Sequence, residues 1–525
     1  MKFNKMLIGA VSMILVFSQK NTFAQHTNIL VGTGNGPNEP AICINPKNTQ
    51  ELVAAANLDN VYYSHDGGAS WTQTPVTCPW GVWGDPVIGV DTTGAFFYLH
   101  LSNPPSGSWI DRIIAQKSTN GGVTWSNGSF MGLNGSKAQD KHWIAVDRQT
   151  NTLYVTWTQF DQYGSSNPAD SSIILFSKST DGGNNWSMAQ RINLLAGDCI
   201  DADNTAEGAV PAVGPNGEVF VAWSNQNKIW FDRSADGGTT WLDQDIFVGD
   251  QPGGWDYGIS GIYRANGLPV LSCDLSGGPN QGTLYINWTD QRNGEQDTDV
   301  WLAKSTDSGN TWSAPVRVND DASGSQQFFT WMTIDQVTGW IWLVFYDRRN
   351  YTDDRTDVFM AVSTDGGDTF HNFQVSETPF LPSSSFFFGD YTNVTAHNNI
   401  VRPIWARLES NDLSIWTALI QPDEVITNTP PQPEMAAFSI DDPFPNPFSD
   451  ETGISFKLHQ HALVSLSVVD LLGRELAHPI DNEWRDYGVY LEKIDMAALK
   501  LPPGGYFLLL KIDGEVLKKK IIRAF

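Results

Sequence analysis

The stretch Ser64–Trp71, SHDGGASW, decides the fold, because the chain repeats it five more times. The other copies are STNGGVTW (118–125), STDGGNNW (179–186), SADGGTTW (234–241), STDSGNTW (305–312) and STDGGDTF (363–370). Consecutive copies start 54, 61, 55, 71 and 58 residues apart. A repeat of about 50 residues built from short strands is typical of a propeller or a related array.

Each part of the repeated phrase suits a tight turn between two antiparallel strands. Asp or Asn can accept a hydrogen bond from the backbone two residues on, and the glycine pair supplies positive φ. The closing Trp or Phe begins the next strand, where its ring can pack under the turn. With its pattern S-x-D-x-G-x-x-W, the phrase resembles the Asp-box, or bacterial neuraminidase (BNR) repeat, of the sialidase superfamily. That resemblance implies an all-β propeller in which the boxes are structural turns away from the active site.

Each Asp-box lies within a larger unit of four predicted strands, and four strands per repeat fit the blades of a β-propeller. The last unit has neither a box nor a fourth strand. We expect the N-terminal strand Thr27–Gly32 to complete it, which would remove an open sheet edge. Counting first strands favours seven blades, with six as the alternative; these strands begin near Pro40, Asp85, Lys141, Ala209, Leu268, Phe329 and Asp390.

The chain divides into four predicted segments. Residues 1–24 have the lysines and short apolar run of a secretory signal peptide. Residues 25–421 form the predicted propeller, residues 422–437 are a Pro-rich linker, and residues 438–525 form a separate small β-sandwich.

The last segment contains the phrases FPNPF (444–448), LPPGGYFLLL (501–510) and KKKII (518–522). It resembles the C-terminal sorting domain of proteins exported by the type IX secretion system. The resemblance implies that this machinery is a partner of residues 438–525. It also implies export through the periplasm and outer membrane, with the product secreted or attached to the cell surface.

The net charge of −26 lies almost entirely on the central region, because the signal segment is basic and residues 438–525 are nearly balanced. Such a surface repels nucleic acid and anionic membranes. No stretch after the signal approaches 18 apolar residues, so we expect no transmembrane segment in the mature chain. The cysteines lack metal-type spacing, and an oxidising compartment permits disulfides without indicating a pairing; they are Cys43, Cys78, Cys199 and Cys273.

Acidic residues at the starts of the first strands should form a ring at one mouth of the propeller channel. The ring is predicted to contain Glu39, Asp85, Asp140, Glu207, Asp256 and Asp390. Paired carboxyls can divide the acid and the nucleophile or base roles of glycoside hydrolysis. We therefore predict Asp85 and Asp140 as the acid/base candidates, and Glu207 with Tyr257 as the nucleophilic or assisting pair. Aspartates at strand starts also cap turns, which is the structural alternative.

Arginines near the ring could bind a substrate carboxylate in bidentate fashion. The predicted substrate-binding residues are Arg264, Arg292, Arg348, Arg349 and Asp390. Sialidases resemble one another in an early Phe/Tyr-Arg-Ile-Pro motif, which supplies the first arginine of a carboxylate-binding triad. No such motif precedes the first box here, and the nearest phrase, Tyr263–Pro269, lies in mid-chain.

Two classes of function remain open from the sequence. The first is a secreted, sialidase-like glycoside hydrolase, and the second is a non-catalytic cell-surface propeller that binds glycan or protein. Three arginines converging beside a tyrosine–acid pair would favour the first. No cofactor is expected to be required, and no metal site is assigned. Calcium is a possible ligand of the Asp-rich stretches 198–204 and 353–354.

Overall fold

A computed structural model describes residues 26–322, 324–427, 438–440, 443–458, 462–471, 473–485, 488–512 and 515–524. The predicted signal peptide and most of the predicted linker lie outside these residues. The chain divides into two compact units, Met1–Val425 and Ile426–Phe525. None of the helices in the described residues is long and apolar enough to cross a membrane.

Short antiparallel strands build almost the whole first unit. Strand β1 (Thr27–Gly32) comes first and is followed by four sheets of four strands each. The first sheet has β2 (Ala41–Ile44), β3 (Leu52–Ala56), β4 (Asn60–Ser64) and β5 (Thr72–Thr74), and the second has β6 (Gly84–Val90), β7 (Phe96–Leu101), β8 (Ile113–Ser118) and β9 (Ser129–Met131). The third has β10 (Ala138–Val146), β11 (Leu153–Phe160), β12 (Ser172–Ser179) and β13 (Gln190–Arg191), and the fourth has β14 (Glu207–Val213), β15 (Val219–Asn225), β16 (Lys228–Ser234) and β17 (Ile246–Asp250). After the hairpin β18 (Asp256–Tyr257) and β19 (Ala265–Asn266) come β20 (Val270–Cys273), β21 (Leu284–Asp290), β22 (Asp299–Ser305), β23 (Val316–Arg317); β24 (Gln327–Ile334), β25 (Ile341–Asp347), β26 (Asp357–Ser363), β27 (His371–Gln374); and β28 (Asn393–His397), β29 (Ile400–Glu409), β30 (Asp412–Leu419).

The final three strands are completed by the first one. Strand β1 pairs antiparallel with β30, which gives a sheet in the order β1-β30-β29-β28. The described part of this unit therefore contains seven four-stranded sheets. Their innermost strands contact one another in sequence order, and β28 contacts β2, so the sheets form a closed ring. Four-stranded sheets arranged radially in this way are the blades of a β-propeller.

The Asp-boxes form the turns between the third and fourth strands of six sheets. In the first box the Ser64 hydroxyl donates to Asp66 Oδ1 (2.7 Å) and accepts from the backbone N–H of Gly68 (2.9 Å). Asp66 also accepts from the backbone and hydroxyl of Ser70, and Gly68 has φ of 91°. These contacts occupy the box aspartate within its own turn, as a structural role requires.

Large aromatic side chains on the second strands fill the space between blades. Five tryptophans on these strands are fully buried: Trp157, Trp223, Trp288, Trp342 and Trp405. Truncating a buried tryptophan to alanine typically costs about 3–5 kcal/mol, so these positions dominate the packing energy of the ring.

An insertion between the fourth and fifth blades explains the longest repeat spacing of 71 residues. Residues 252–268, here called the strap, contain the β18–β19 hairpin. Tyr257 and Ile262 of the strap share a hydrophobic cluster with Phe380 and Phe388, which precede the last blade. The hydroxyl of Ser260 also donates to Asp354 Oδ2 (2.9 Å). The strap thus reaches from the fourth blade to the loops of the last two blades.

The C-terminal unit follows helix α1 (Pro422–Thr427) and is a small two-sheet structure around its own core. The side chains of Ile454, Phe456, Leu466 and Leu508 lie in this core. Its two sheets have the strand orders β31-β32-β35 and β34-β33-β36-β37. The strands are β31 (Phe438–Ile440), β32 (Glu451–Leu458), β33 (Ala462–Val469), β34 (Glu475–Arg485), β35 (Gly488–Asp495), β36 (Gly504–Ile512) and β37 (Glu515–Arg523).

Candidate functional site

Bulges at the starts of the innermost strands aim side chains at the channel mouth. Pairing shifts register between Gly84 and Val87 in β6, and between Asp140 and Trp143 in β10. Residues other than glycine adopt left-handed backbone at these strand starts: Asp85 (φ 50°) and Lys141 (φ 47°) within the two bulges, and Glu39 (φ 50°) just before β2. Such a conformation costs roughly 1–2 kcal/mol for each L-residue, so three charged residues are held at the mouth despite strain.

Lys141 is the centre of the charged network at the mouth. Its ammonium Nζ lies 2.6 Å from Asp390 Oδ2, 3.3 Å from Asp85 Oδ2 and 3.9 Å from Glu39 Oε1. Burial alone would lower the pKa of Lys141, but Asp390, Asp85 and Glu39 together raise it well above its ordinary value. Lys141 therefore stays charged and neutralises part of the acidic floor.

Arg264 reaches the same floor from the strap. Its Nε donates to Asp390 Oδ1 (2.9 Å), its Nη2 donates to Asp390 Oδ2, and its Nη1 donates to Asp201 Oδ2 (3.1 Å). Although burial alone would raise the pKa of Asp390, Lys141 and Arg264 lower it well below its ordinary range. Asp390 is thus an ionised carboxylate that holds two cations in place.

A second group of carboxyls lies on the third- and fourth-blade side of the mouth and lacks a cation of its own. Burial, with repulsion from Asp85, raises the pKa of Asp140 to about 8. The Asp140 carboxylate Oδ1 accepts a hydrogen bond from the backbone N–H of Lys141 (2.9 Å). Glu207 is fully buried, and burial followed by Asp201 and Asp140 raises its pKa well above normal. At neutral pH the Asp140 carboxyl is therefore predominantly protonated.

A pocket of about 280 Å³ opens above this floor. Glu39, Asp85, Asp140, Lys141 and Arg264 line its charged part. Aromatic rings and amides form the rest of its wall, from Trp83, Trp109, Tyr163, Phe387, Asn35, Asn38 and Asn57. A concave site with apolar walls and a few convergent polar groups is the usual form of a small-ligand site.

The structure brings together several of the sequence-predicted residues. Asp85, Asp140 and Arg264 line the pocket, and Asp390 lies directly beneath them. Glu207 is adjacent but has no exposed surface, and neither of its carboxyl oxygens has a hydrogen-bond partner.

The structure does not place Tyr257, the predicted partner of Glu207, in the pocket lining. The Tyr257 hydroxyl is bonded to Thr289 Oγ1 and to the Asn266 carbonyl (3.1 Å), within a buried environment. Tyr257 is an apolar anchor of the strap, and it does not line the pocket.

Three of the four predicted binding arginines do not line the pocket, and each of them pairs with an acid of a neighbouring loop or strand end. Arg292 is paired with Asp290, Arg348 with Asp354 (3.1 Å), and Arg349 with Asp347 (2.8 Å) and Asp320. Their guanidinium groups also lie over aromatic rings, such as Arg292 over Trp301 at 4.1 Å. No three arginines converge among the described pocket residues, where Arg264 is the guanidinium present.

Sequence reasoning missed the roles of Lys141, Tyr163 and the aromatic wall. The Tyr163 hydroxyl donates to Asp201 Oδ2 (2.5 Å), which is also the partner of Arg264. Trp83 and Trp109 meet edge to face at 6.0 Å, and Trp109 meets Tyr163 at 5.5 Å. The sequence signal for the aromatic wall was the grouping of Trp80, Trp83 and Trp109 before and within the second blade.

The predictions about metals and disulfides have different outcomes. Within residues that the structure describes, no group of three or more His, Cys, Asp or Glu side chains is arranged to hold a metal ion. Calcium binding therefore remains a prediction without a located site. All four cysteines are described, and each has a free thiol.

Family models match a segment in each of the two units. Residues 443–524 match the family model for the secretion system C-terminal sorting domain. The C-terminal unit is a sorting domain. Export is therefore by type IX secretion, which makes the protein secreted or attached to the cell surface. Residues 62–73 match the BNR/Asp-box repeat, which agrees with the turn geometry of the first unit. No curated protein matches the chain.

Solved structures resemble the chain only remotely. A protein of unknown function from Dyadobacter fermentans is 13% identical, with 75% of this chain and 98% of that chain covered and a TM-score of 0.44. The NanB sialidase of Streptococcus pneumoniae is 9% identical, with coverages of 76% and 95% and a TM-score of 0.43. An α-L-arabinofuranosidase of Fusarium graminearum is 12% identical, with coverages of 77% and 99% and a TM-score of 0.44. At these values nothing follows about activity.

Proposed function

We propose that the propeller is a secreted glycan-active enzyme that hydrolyses a glycosidic bond in the mouth pocket. The observation that carries the proposal is the presence of two pocket carboxyls in different surroundings. Asp85 forms a salt bridge with Lys141, whereas the Asp140 carboxyl is buried without a cation of its own and its pKa is raised to about 8. Two carboxyls differentiated in this way can act as acid and base at neutral pH.

In this proposal Asp140 gives its proton to the glycosidic oxygen as the bond to the sugar ring breaks. Asp85, on the same pocket wall, acts as the base or nucleophile opposite the positive charge that develops on the ring. Glu207 has no exposed surface, so it does not touch substrate in this proposal. Lys141 holds Asp85 and Asp390 in position.

The test is turnover of a panel of fluorogenic glycosides by the purified chain, with added calcium and with a chelator. Asp140→Asn and Asp85→Asn are expected to lower kcat by roughly 10²–10⁴, the usual contribution of general acid or base catalysis. Asp232→Asn is the matched control, because Asp232 is also a buried aspartate with a raised pKa, about 7, but lies on β16 outside the pocket. Folded protein without turnover on any glycoside would refute hydrolysis.

The second candidate is a non-catalytic platform that binds glycan or protein at the cell surface. It is favoured by the complete pairing of Lys141 and Arg264 with protein carboxylates, a rigid network that a scaffold could use. Glycan binding without turnover, unchanged in the Asp140→Asn protein, would select this candidate.

A further inference from the structure

We propose that the mouth pocket selects an uncharged glycan over one that ends in a carboxylate sugar, and binds it between two aromatic walls. The inference takes from the proposed function only that the ligand is a glycan. It does not require that the glycan is hydrolysed. The resemblance to sialidases predicts the opposite preference, so the two expectations can be separated by experiment.

The first step concerns the cations of the pocket, because a sugar carboxylate needs an available one. Lys141 and Arg264 are the cationic side chains of the described pocket lining. Lys141 is held between Asp390, Asp85 and Glu39, and its side chain is only 8% exposed. Arg264 directs all three of its nitrogens at Asp390 and Asp201. The described hydrogen bonds of both cations go to protein carboxylates, so a ligand carboxylate would have to compete with these partners, even though the Arg264 side chain is 31% exposed.

The second step concerns the acids that such a ligand would meet. Asp85 and Asp140 face the pocket itself, with Glu39 beside them. A carboxylate sugar would therefore lie beside the carboxylate of Asp85, which already pairs with Lys141, and charge repulsion from Asp85 would oppose its binding. A sugar hydroxyl has no such difficulty, because it donates a hydrogen bond to these oxygens.

The third step concerns the walls on two sides of the pocket. Trp83 and Trp109 come from the second blade and are 36% and 42% exposed. Phe387, which precedes the last blade, lies 6.1 Å from Tyr263 of the strap in an edge-to-face contact, and Tyr263 is 64% exposed. Exposed aromatic faces of this size offer apolar area to the C–H faces of sugar rings.

Amide side chains of the N-terminal segment and the first blade lie between the two walls. Asn57 donates to Asn38 Oδ1 (3.0 Å) and to Glu39 Oε2, so this part of the wall is held in place by its own hydrogen bonds. Asn35 lies on the same rim. Fixed amides and aromatic rings recognise hydroxyl-rich, uncharged ligands by shape and hydrogen bonding.

The experiment measures binding of matched oligosaccharides to the purified full chain by calorimetry. Each pair shares one neutral core, and one member carries an added terminal sialic acid or uronic acid. The neutral member is expected to bind more tightly by about tenfold or more. Trp109→Ala should weaken neutral binding by about tenfold. Phe247→Ala, at a similarly exposed aromatic on the outer strand β17, should leave it unchanged.

A second variant tests the electrostatic step directly. Asp201→Asn removes the carboxylate partner of Arg264 Nη1, and should therefore improve binding of the acidic member relative to the neutral one. Tighter binding of the acidic member by the unmodified chain would overturn the inference while leaving glycan hydrolysis intact. Binding of neutral members without turnover would support the inference and refute hydrolysis. Folded protein that binds no glycan would overturn both.

Discussion

Replacing Asp140 by asparagine should stabilise the protein relative to the unmodified chain, and this advantage should grow as the pH rises. The effect is separate from the loss of turnover. The Asp140 side chain is buried, and its pKa in the folded protein is about 8 instead of the ordinary value of 3.8. Between about pH 4 and pH 8 the Asp140 carboxyl therefore carries a proton in the folded state, whereas in the unfolded chain it has already lost that proton. Because the unfolded state binds fewer protons over this range, stability of the native protein falls as the pH rises.

The size of the effect follows from the shift. Each pH unit between the two pKa values corresponds to at most about 1.4 kcal/mol. Asparagine does not titrate, and its Oδ1 can still accept the hydrogen bond that the Lys141 N–H donates to Asp140. From pH 5 to pH 7 the stability advantage of Asp140→Asn should thus grow by up to about 3 kcal/mol. Above about pH 8 the advantage should no longer change.

The assay is urea unfolding at pH 5, 6, 7 and 8, followed by tryptophan fluorescence. Asp232→Asn serves as a control, because burial raises the pKa of Asp232 to about 7 outside the pocket. Asp232→Asn should also gain stability over the unmodified chain as the pH rises, but its turnover should be unchanged. A constant difference between Asp140→Asn and the unmodified chain across these pH values would mean that Asp140 is ionised in the folded state. The reasoning about its proton, and with it the acid role, would then be refuted.

Two further predictions concern the ring itself. Lys141→Met leaves the carboxylates of Asp390 and Asp85 without their shared cation. The free energy of unfolding, measured with urea, should therefore fall by about 3–5 kcal/mol. A decrease below about 1 kcal/mol would contradict the central role of Lys141. Deleting residues 26–32 exposes the backbone edge of β30, which should lower Tm and cause concentration-dependent association in size-exclusion chromatography; an unchanged, monomeric protein would show that β1 does not protect this edge.

The repeated turn made the fold predictable, because its chemistry is local. The serine, the aspartate and the second glycine hydrogen-bond within eight residues, so the same letters give the same turn wherever they recur. The strand starts followed from the same spacing, and the structure places Asp85, Asp140 and Asp390 together at the mouth. The spacing of 71 residues likewise indicated extra chain where the strap lies.

The contacts of individual side chains were less predictable, because they depend on register and on loops from distant blades. A bulge after Asp140 brings Lys141, the next residue, to the mouth, and periodicity alone does not reveal a one-residue shift. The arginine pairs had a local signal: in Asp290-x-Arg292 and Asp347-x-Arg349 an acid stands two residues before the arginine and binds it. The partner of Tyr257 depended on the path of the strap, which no local pattern gives.

Charged side chains on left-handed backbone distinguish the pocket side of the ring from a purely structural mouth. Gly208 occupies, in the bulge of β14, the place that Asp85 and Lys141 occupy in theirs, and it adopts φ of 72° without a side chain to oppose it. The propeller can therefore start an innermost strand with glycine. At Glu39, Asp85 and Lys141 it instead holds charged residues in a conformation that costs roughly 1–2 kcal/mol each. Phe329 adopts the same backbone (φ 51°) in the bulge of β24, so the conformation alone does not indicate a catalytic site. What favours chemistry at the mouth is that charged side chains occupy the other three positions, with a cation placed between carboxyls.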